Sequence, residues 1–121
     1  MSAAVVERDA DIEHSNEVRL VGRVAAEPTE RVLPSGDVLL QWRLVVERPP
    51  RERGSSRTSV DVVGCTAWRA GVRRSAGAWS PGDVVEVEGA LRRRFWRGAG
   101  GGVGNSYEVE ARAVRRLARA T

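Results

Sequence analysis

The chain has 121 residues, of which 41% are hydrophobic, enough for one compact domain without disulfide bonds. The single cysteine, Cys65, excludes a disulfide framework and a cluster of thiolate metal ligands. No apolar run approaches the roughly 20 residues of a membrane-spanning helix, and the acidic start lacks the basic region of a secretory signal. We therefore expect a cytoplasmic protein with no membrane partner.

The charge is distributed unevenly along the chain. Residues 1–17 hold five acidic residues against one arginine, a net −4, so the remaining part of a chain of net charge +4 carries +8. All 20 basic residues are arginine, a side chain that binds phosphate through a planar fork and also stacks on bases. The base composition of a GC-rich genome is the favoured explanation for the lack of lysine, and it does not change what the arginines can bind. The basic remainder indicates an anionic partner.

Residues 1–15 mix charged and small side chains without an apolar period, which predicts a disordered acidic arm. A single folded domain is expected over 16–121. Its first strand is expected from Glu17 onward, because residues predicted to point inward alternate with residues predicted to point outward. The inward residues are Val18, Leu20, Gly22 and Val24. A short strand at 31–33 and the turn Pro34-Ser35-Gly36-Asp37 then predict a hairpin.

The next two strands flank a basic loop. The strand after the turn places one apolar set on a single face, Leu40, Trp42, Leu44 and Val46, so Trp42 is expected in the core. The Pro, Gly, Ser and Arg mixture after it predicts a flexible loop, with Arg53 and Arg57 in solvent. A third long strand follows through 58–67, with Cys65 as a small core residue.

A helix and two further strands complete the pattern. Near-helical spacing of Trp68, Val72, Ala76 and Trp79 predicts a helix that stops at Ser80-Pro81-Gly82. A period of two then returns and predicts an inward set, Val85, Val87, Gly89, Leu91 and Phe95. After a glycine loop at 98–104, the last strand is expected to point Tyr107, Val109 and Ala111 inward.

This order of elements predicts an all-β OB-fold, a five-stranded Greek-key barrel with one helix between strands 3 and 4. An open sandwich with one packed helix is the competing architecture.

The fourth long strand carries the clearest functional signal. Alternation places Arg92, Arg94 and Trp96 on one outward face, where arginines can contact phosphates and a tryptophan can stack on an unpaired base, worth about 1–3 kcal/mol per base. The glycine loop joins two strands and lacks the residues of a nucleotide-phosphate loop. Asp61 and Glu108 have no nucleophile, histidine or metal-ligand cluster beside them, so we expect no enzyme activity, metal or cofactor.

Four stretches resemble the bacterial single-stranded DNA-binding proteins: "NEVRLVGRVAAEPTERVLPSGDVLLQWRLVVERP", "GCTAWR", "SPGDVVEVEGALRRRFWR" and "SYEVEARAVRRL". The resemblance implies an OB-fold homotetramer that wraps single-stranded DNA. Trp68 and Trp96 match two base-stacking aromatics of the family, and Arg92 and Arg94 match basic positions. Two other family aromatics fall on Val62 and near Pro50, which implies weaker binding or a shorter footprint. The family's acidic tail is not matched, so recruitment of partners through a tail is not expected.

These arguments give one predicted set of DNA-binding residues: Trp68, Trp96, Arg92, Arg94, Arg43, Arg53, Arg57 and Arg97. The predicted function is sequence-tolerant binding that protects single-stranded DNA in replication, repair or recombination, at the nucleoid. An OB-fold module for protein interaction, with weak or no DNA binding, is the alternative, and RNA binding is a third possibility.

Overall fold

The computed structural model describes residues 11–54, 57–97 and 102–121, apart from the side chains of Trp96 and Arg97. Much of the predicted acidic arm (1–10) and of the predicted glycine loop (98–101) therefore lies outside the described residues. The elements in chain order are β1 (Val18–Val24), β2 (Thr29–Val32), β3 (Val38–Glu47), a 3-10 turn (Pro50–Glu52), β4 (Val60–Ala67), α1 (Ala70–Gly77), β5 (Val84–Arg97) and β6 (Val103–Ala118). None of the helices in these ranges is long and apolar enough to cross a membrane.

Five long strands close into a ring. The sheet runs β1-β5-β6-β4-β3-β2, and a further pairing of β1 with β3 closes the five long strands into the ring. All pairings are antiparallel except β4 with β6, which is parallel. The helix follows the third of the five long strands, as predicted, and the short β2 adds a sixth strand beside β3. The barrel prediction is confirmed, with the short strand at Thr29–Val32 rather than 31–33.

Two glycines allow the strands to approach closely where the barrel closes. A Cβ on Gly22 would lie 2.4 Å from the carbonyl oxygen of Val45, where β1 turns from β5 towards β3. A Cβ on Gly89 would lie 1.9 Å from the carbonyl oxygen of Glu110. Gly89 sits where the β5–β6 register shifts and leaves Arg112 of β6 without a partner, a β-bulge that bends the ladder. Side chains at either glycine would force the strands apart.

The core lies inside this ring and is capped by the end of α1. Trp42 and Trp79 are both 4% exposed and pack edge to face, with ring centroids 5.4 Å apart. Cys65 and Ala76 are buried in the same cluster. The core assignments of Trp42 and Cys65 are therefore confirmed, and Trp79 joins them in the core.

The inward assignments fail where β5 and β6 continue beyond the barrel. β1 accompanies β5 only as far as Gly89, after which β5 is paired with β6 alone. Leu91, Phe95 and Tyr107 were expected inside, but they are 44%, 65% and 59% exposed. The predicted inward phase of β6 is nevertheless correct, because Val109, which lies on the same face as Tyr107, is buried. Among the described residues, no other strand covers that face beyond Gly89, so a residue in the inward phase there is not necessarily buried.

Candidate nucleic-acid interface

The cross-strand register places three of the six predicted arginines, Arg43, Arg92 and Arg94, on one face of the sheet. Arg43 of β3 lies opposite Gly64 of β4, and residues directly opposite each other share a face of the sheet. The same rule extends the face from β4 to β6 and from β6 to β5. Its members, in order across the sheet, are Arg43, Gly64, Thr66, Glu110, Glu108, Arg92 and Arg94.

Trp68 lies at the edge of this face, just after β4. Its side chain is 36% exposed, so part of the indole is open to solvent. The Nε of Arg73 donates a hydrogen bond to the carbonyl oxygen of Trp68 at 3.0 Å, which fixes the backbone between β4 and α1. The backbone of Trp68 is thus held at the barrel rim, where a base could stack on the partly exposed indole.

A shallow groove crosses the middle of the face. It encloses ≈ 420 Å³ and is lined by residues that include Gln41, Arg43, Gly64 and Glu108. Trp42 also lines it, and its buried Nε1 has no hydrogen-bond partner in the part of the chain that the structure describes. Gly64 adds no side chain, so the floor of the groove is open beside the exposed Arg43.

Arg92 and Arg94 of β5 do not present free charges. The Nε of Arg92 lies 3.3 Å from Oε1 of Glu110, and NH1 of Arg94 lies 3.1 Å from Oε2 of Glu108. Glu108 also accepts a short hydrogen bond from the hydroxyl of Thr66. We call Arg92, Arg94, Glu108 and Glu110 the paired face of the hairpin. The formal charges of this face cancel. An arginine there can bind a phosphate only by leaving its glutamate partner.

The opposite side of the hairpin carries a different group of residues. Arg93 lies opposite Tyr107, and Cζ of Arg93 is 4.4 Å from the ring centroid of Phe95. In the described ranges Arg93 has no carboxylate within 4.0 Å. We call Arg93, Phe95 and Tyr107 the aromatic face. This face was not predicted, because the inward phase of these positions was taken to mean burial. The available signal was strand length: β5 and β6 are much longer than β1, so their outer ends extend beyond it.

The loop arginines are arranged less uniformly than predicted. The Nε of Arg53 donates to the carbonyl oxygen of Arg48 at 2.9 Å, so Arg53 is half-buried and helps to order the loop. Arg48 itself binds Asp61 with two hydrogen bonds, of 2.9 and 2.6 Å. These bonds lower the pKa of Asp61 and raise the pKa of Arg48. Arg57 is exposed.

The remaining predicted residues are placed only by their backbone. Trp96 pairs with Gly104 and Arg97 with Val103, at the outer end of the hairpin. The predicted roles of their side chains lie outside what the structure describes.

The groove shows no sign of reactive chemistry around its cysteine. Burial, and then the negative charge of Glu108, raise the pKa of the Cys65 thiol to about 12, which keeps it neutral and unreactive near pH 7. Among the described residues there is no group of three or more His, Cys, Asp and Glu side chains that could hold a metal ion. The face offers surfaces for binding.

Comparison with known proteins identifies the family. Residues 15–117 match the model of the single-strand binding protein family. The chain belongs to this family. A single-stranded DNA-binding protein of Deinococcus radiodurans is 32% identical over 105 residues, and one of Oceanobacillus iheyensis is 30% identical over 102 residues. These matches cover 86% and 84% of this chain.

The fold is shared more widely than the sequence. A Plasmodium falciparum SSB, solved in complex with ssDNA, superposes with a TM-score of 0.73 at 21% identity, covering 88% of this chain and 97% of that chain. The family member described here spans only part of its curated relatives, 35% of the Deinococcus protein and 63% of the Oceanobacillus protein. The family match, residues 15–117, includes all of β1 to β5 and β6 except its last residue.

Proposed function

We propose that this chain binds single-stranded DNA without sequence preference, by stacking unpaired bases on Trp68 and Trp96 and contacting phosphates with arginines. The observation that carries this proposal is the outer face of the barrel, where a partly exposed Trp68 just after β4 borders the face that holds Arg43, Arg92 and Arg94. Relatives in the same family are named for single-stranded DNA binding. The cellular role is protection of exposed strands in replication, repair or recombination, in the cytoplasm at the nucleoid.

The arrangement supports binding rather than catalysis or base readout. Stacking uses the ring of a base and phosphate contacts use the backbone, so neither reads the base edges that carry sequence. Each phosphate contact releases counterions, which makes affinity fall as salt rises. In this proposal Arg53 and Arg57 add phosphate contacts from the loop after β3, and Arg97 adds one from the end of β5.

We further propose that the protein assembles as a homotetramer, which rests on the family resemblance. β1 offers one surface for assembly, because Val21 on its outer side is 39% exposed in the single chain. Light scattering of the purified protein would give the mass directly, and a monomer that still binds DNA would contradict the proposal.

The decisive test is a titration with oligo-dT of about 35 nucleotides, followed by tryptophan fluorescence at low and moderate salt. Stacking should quench the fluorescence, and the affinity should fall with salt. Trp68→Ala should weaken binding roughly tenfold. Unchanged fluorescence and no binding at low salt would overturn the proposal.

A protein-interaction module is a second candidate, because the paired face hides two of the predicted phosphate contacts and Val62 offers no ring for stacking. Val62 is 56% exposed, so an apolar contact with a protein could form there. Trp96→Ala and Arg94→Ala separate the two functions. A DNA binder should lose oligonucleotide affinity in both variants, whereas an interaction module should show the same weak affinity throughout.

A further inference from the structure

We infer that the aromatic face of the β5–β6 hairpin, Arg93, Phe95 and Tyr107, is a second base-stacking surface for single-stranded DNA. This inference rests on the proposed function. It adds a binding surface on the side of the hairpin opposite to Arg92 and Arg94, at positions that the sequence pattern assigned to the interior.

The first argument is the exposure of two aromatic rings. Phe95 and Tyr107 are 65% and 59% exposed, on a two-stranded extension that the rest of the barrel does not cover. A single exposed aromatic side chain is unremarkable, but two on one side of the same hairpin form a surface that excludes water on contact. Their rings are planar and accessible, which is what stacking with an unpaired base requires.

The second argument is charge. The described side chains on this side of the hairpin include one cation, Arg93, and no carboxylate: Leu91, Arg93, Phe95, Asn105 and Tyr107. The paired face, one residue away along each strand, has two cations and two carboxylates. A negatively charged backbone is therefore attracted to the aromatic face without displacing an internal partner.

The third argument is the geometry that Arg93 and Phe95 already adopt. The guanidinium lies over the ring with Cζ 4.4 Å from the centroid, so Phe95 holds a planar cationic group on one side. An arginine in this position can contact the phosphate of a nucleotide whose base stacks on the aromatic surface beside it. An apolar protein contact would make no use of this cation.

The fourth argument is that the base of the hairpin is fixed. The side chain of Asn16 accepts from the backbone N–H of Leu91 and donates to its carbonyl oxygen, both at 2.8 Å. Arg94, on the other side of the hairpin, is tied through Glu108 to Thr66 in the barrel. The aromatic face is thus presented at a defined orientation. A single-stranded DNA that follows the outer face of the barrel can continue around the hairpin onto this face.

The test uses Phe95→Leu and Tyr107→Leu, because leucine retains apolar area but removes the ring. Val32→Leu, at an exposed apolar position on β2, is the control. Affinity for oligo-dT is measured by fluorescence anisotropy, and mass by light scattering. We expect each hairpin variant to bind roughly tenfold more weakly than the unaltered chain, with the same mass, and the control to bind normally.

The outcomes separate this inference from the proposed function. If the unaltered chain does not bind oligo-dT, both are wrong. If it binds and both leucine variants bind equally well, only the second surface is wrong. A fall in mass together with the loss of affinity would show instead that the aromatic face is a contact between copies of the chain, which also overturns the inference.

A direct measurement on the unaltered protein avoids any effect of substitution on folding. Oligo-dT containing iododeoxyuridine is photo-crosslinked to the protein, and the attached peptide is identified by mass spectrometry. Crosslinks at Phe95 or Tyr107 are expected. Crosslinks confined to the barrel face, at Trp68 for example, would contradict the second surface.

Discussion

The two sides of the β5–β6 hairpin are built from alternate residues of the same strands, yet they present opposite chemistry. On the paired face, Arg92 and Arg94 are each held by a glutamate of β6. On the aromatic face, Arg93 lies over the ring of Phe95 and has no carboxylate partner among the described residues. Three consecutive arginines therefore differ in their availability to phosphate. Counting arginines in a sequence measures total charge, whereas the cross-strand register decides which of them are free to bind.

The largest expected effect comes from breaking the frame that both faces share. In Gly89→Ala the new methyl would lie 1.9 Å from the carbonyl oxygen of Glu110, which is backbone and has little freedom to move. Overpacking of this kind costs about 1–3 kcal/mol or more. Urea denaturation should show the loss, and oligo-dT affinity should fall with it as the hairpin shifts.

Gly64→Ala is the matched control for that variant. It also places a methyl on a glycine within a strand, but nothing lies within 4 Å of the new Cβ. Its stability should stay within about 0.5 kcal/mol of the unaltered chain. Equal losses in the two variants would show that close packing at Gly89 does not hold the hairpin.

The next largest effect is expected in DNA affinity when the arginines of the two faces are substituted. Arg93→Ala should weaken oligo-dT binding roughly tenfold, because it removes a cation that has no carboxylate partner in the described residues. The slope of log affinity against log salt concentration should also become less steep, by about the contribution of one phosphate contact. The double variant Arg94→Ala/Glu108→Gln removes a neutral pair and should change affinity by less than about threefold.

Affinity at several salt concentrations measures both variants. The double variant is needed because Arg94→Ala alone would leave Glu108 as an unpaired negative charge near the DNA. A larger loss in the double variant than in Arg93→Ala would show that Arg94 contributes more to phosphate binding than Arg93 does.

The arginine pairing illustrates how far the sequence could predict this site. Alternation placed Arg92 and Arg94 together and Phe95 on the other side, which is confirmed. It could not predict the ion pairs, because the register of β6 depends on two bulges that leave Arg112 and Leu117 without partners. The exposure of Phe95 depends on where β1 ends against β5, and that is a property of the closed barrel.

A smaller effect should follow from releasing Arg94 while keeping it in place. Glu108→Gln preserves the shape of the side chain and an acceptor for Thr66, but removes the charge that holds Arg94. We expect oligo-dT binding to become roughly two- to fivefold tighter, in keeping with the modest energy of partly exposed ion pairs.

Glu47→Gln is the control for that change, because it removes the same charge from an ion pair with Arg23 in β1, away from the hairpin. Anisotropy titrations at one salt concentration compare the two variants. An equal gain in both would mean that overall charge, rather than the release of Arg94, increases the affinity.

The smallest effect on binding is expected at the opposite end of β6, where Asp83 anchors the strand. Asp83 accepts hydrogen bonds from the backbone N–H groups of Ser80 and Ala120 and lies 3.4 Å from Arg116. These bonds, chiefly those from the backbone, lower the pKa of Asp83. The folded chain therefore holds the ionised carboxylate better than the unfolded chain does. The resulting stability is fully present above the unfolded pKa of about 3.9 and is lost as the pH falls through the lower, folded pKa.

Melting temperatures of the unaltered chain and of Asp83→Asn, measured from pH 7 to pH 2, test this anchor. The variant should melt several degrees lower at pH 7 and lose less stability on acidification, with its oligo-dT affinity at pH 7 unchanged. Parallel melting curves for the two proteins would contradict the role of the carboxylate. A loss of affinity at pH 7 would show that the anchored end of β6 is coupled to the hairpin, and that the two faces depend on more than their own residues.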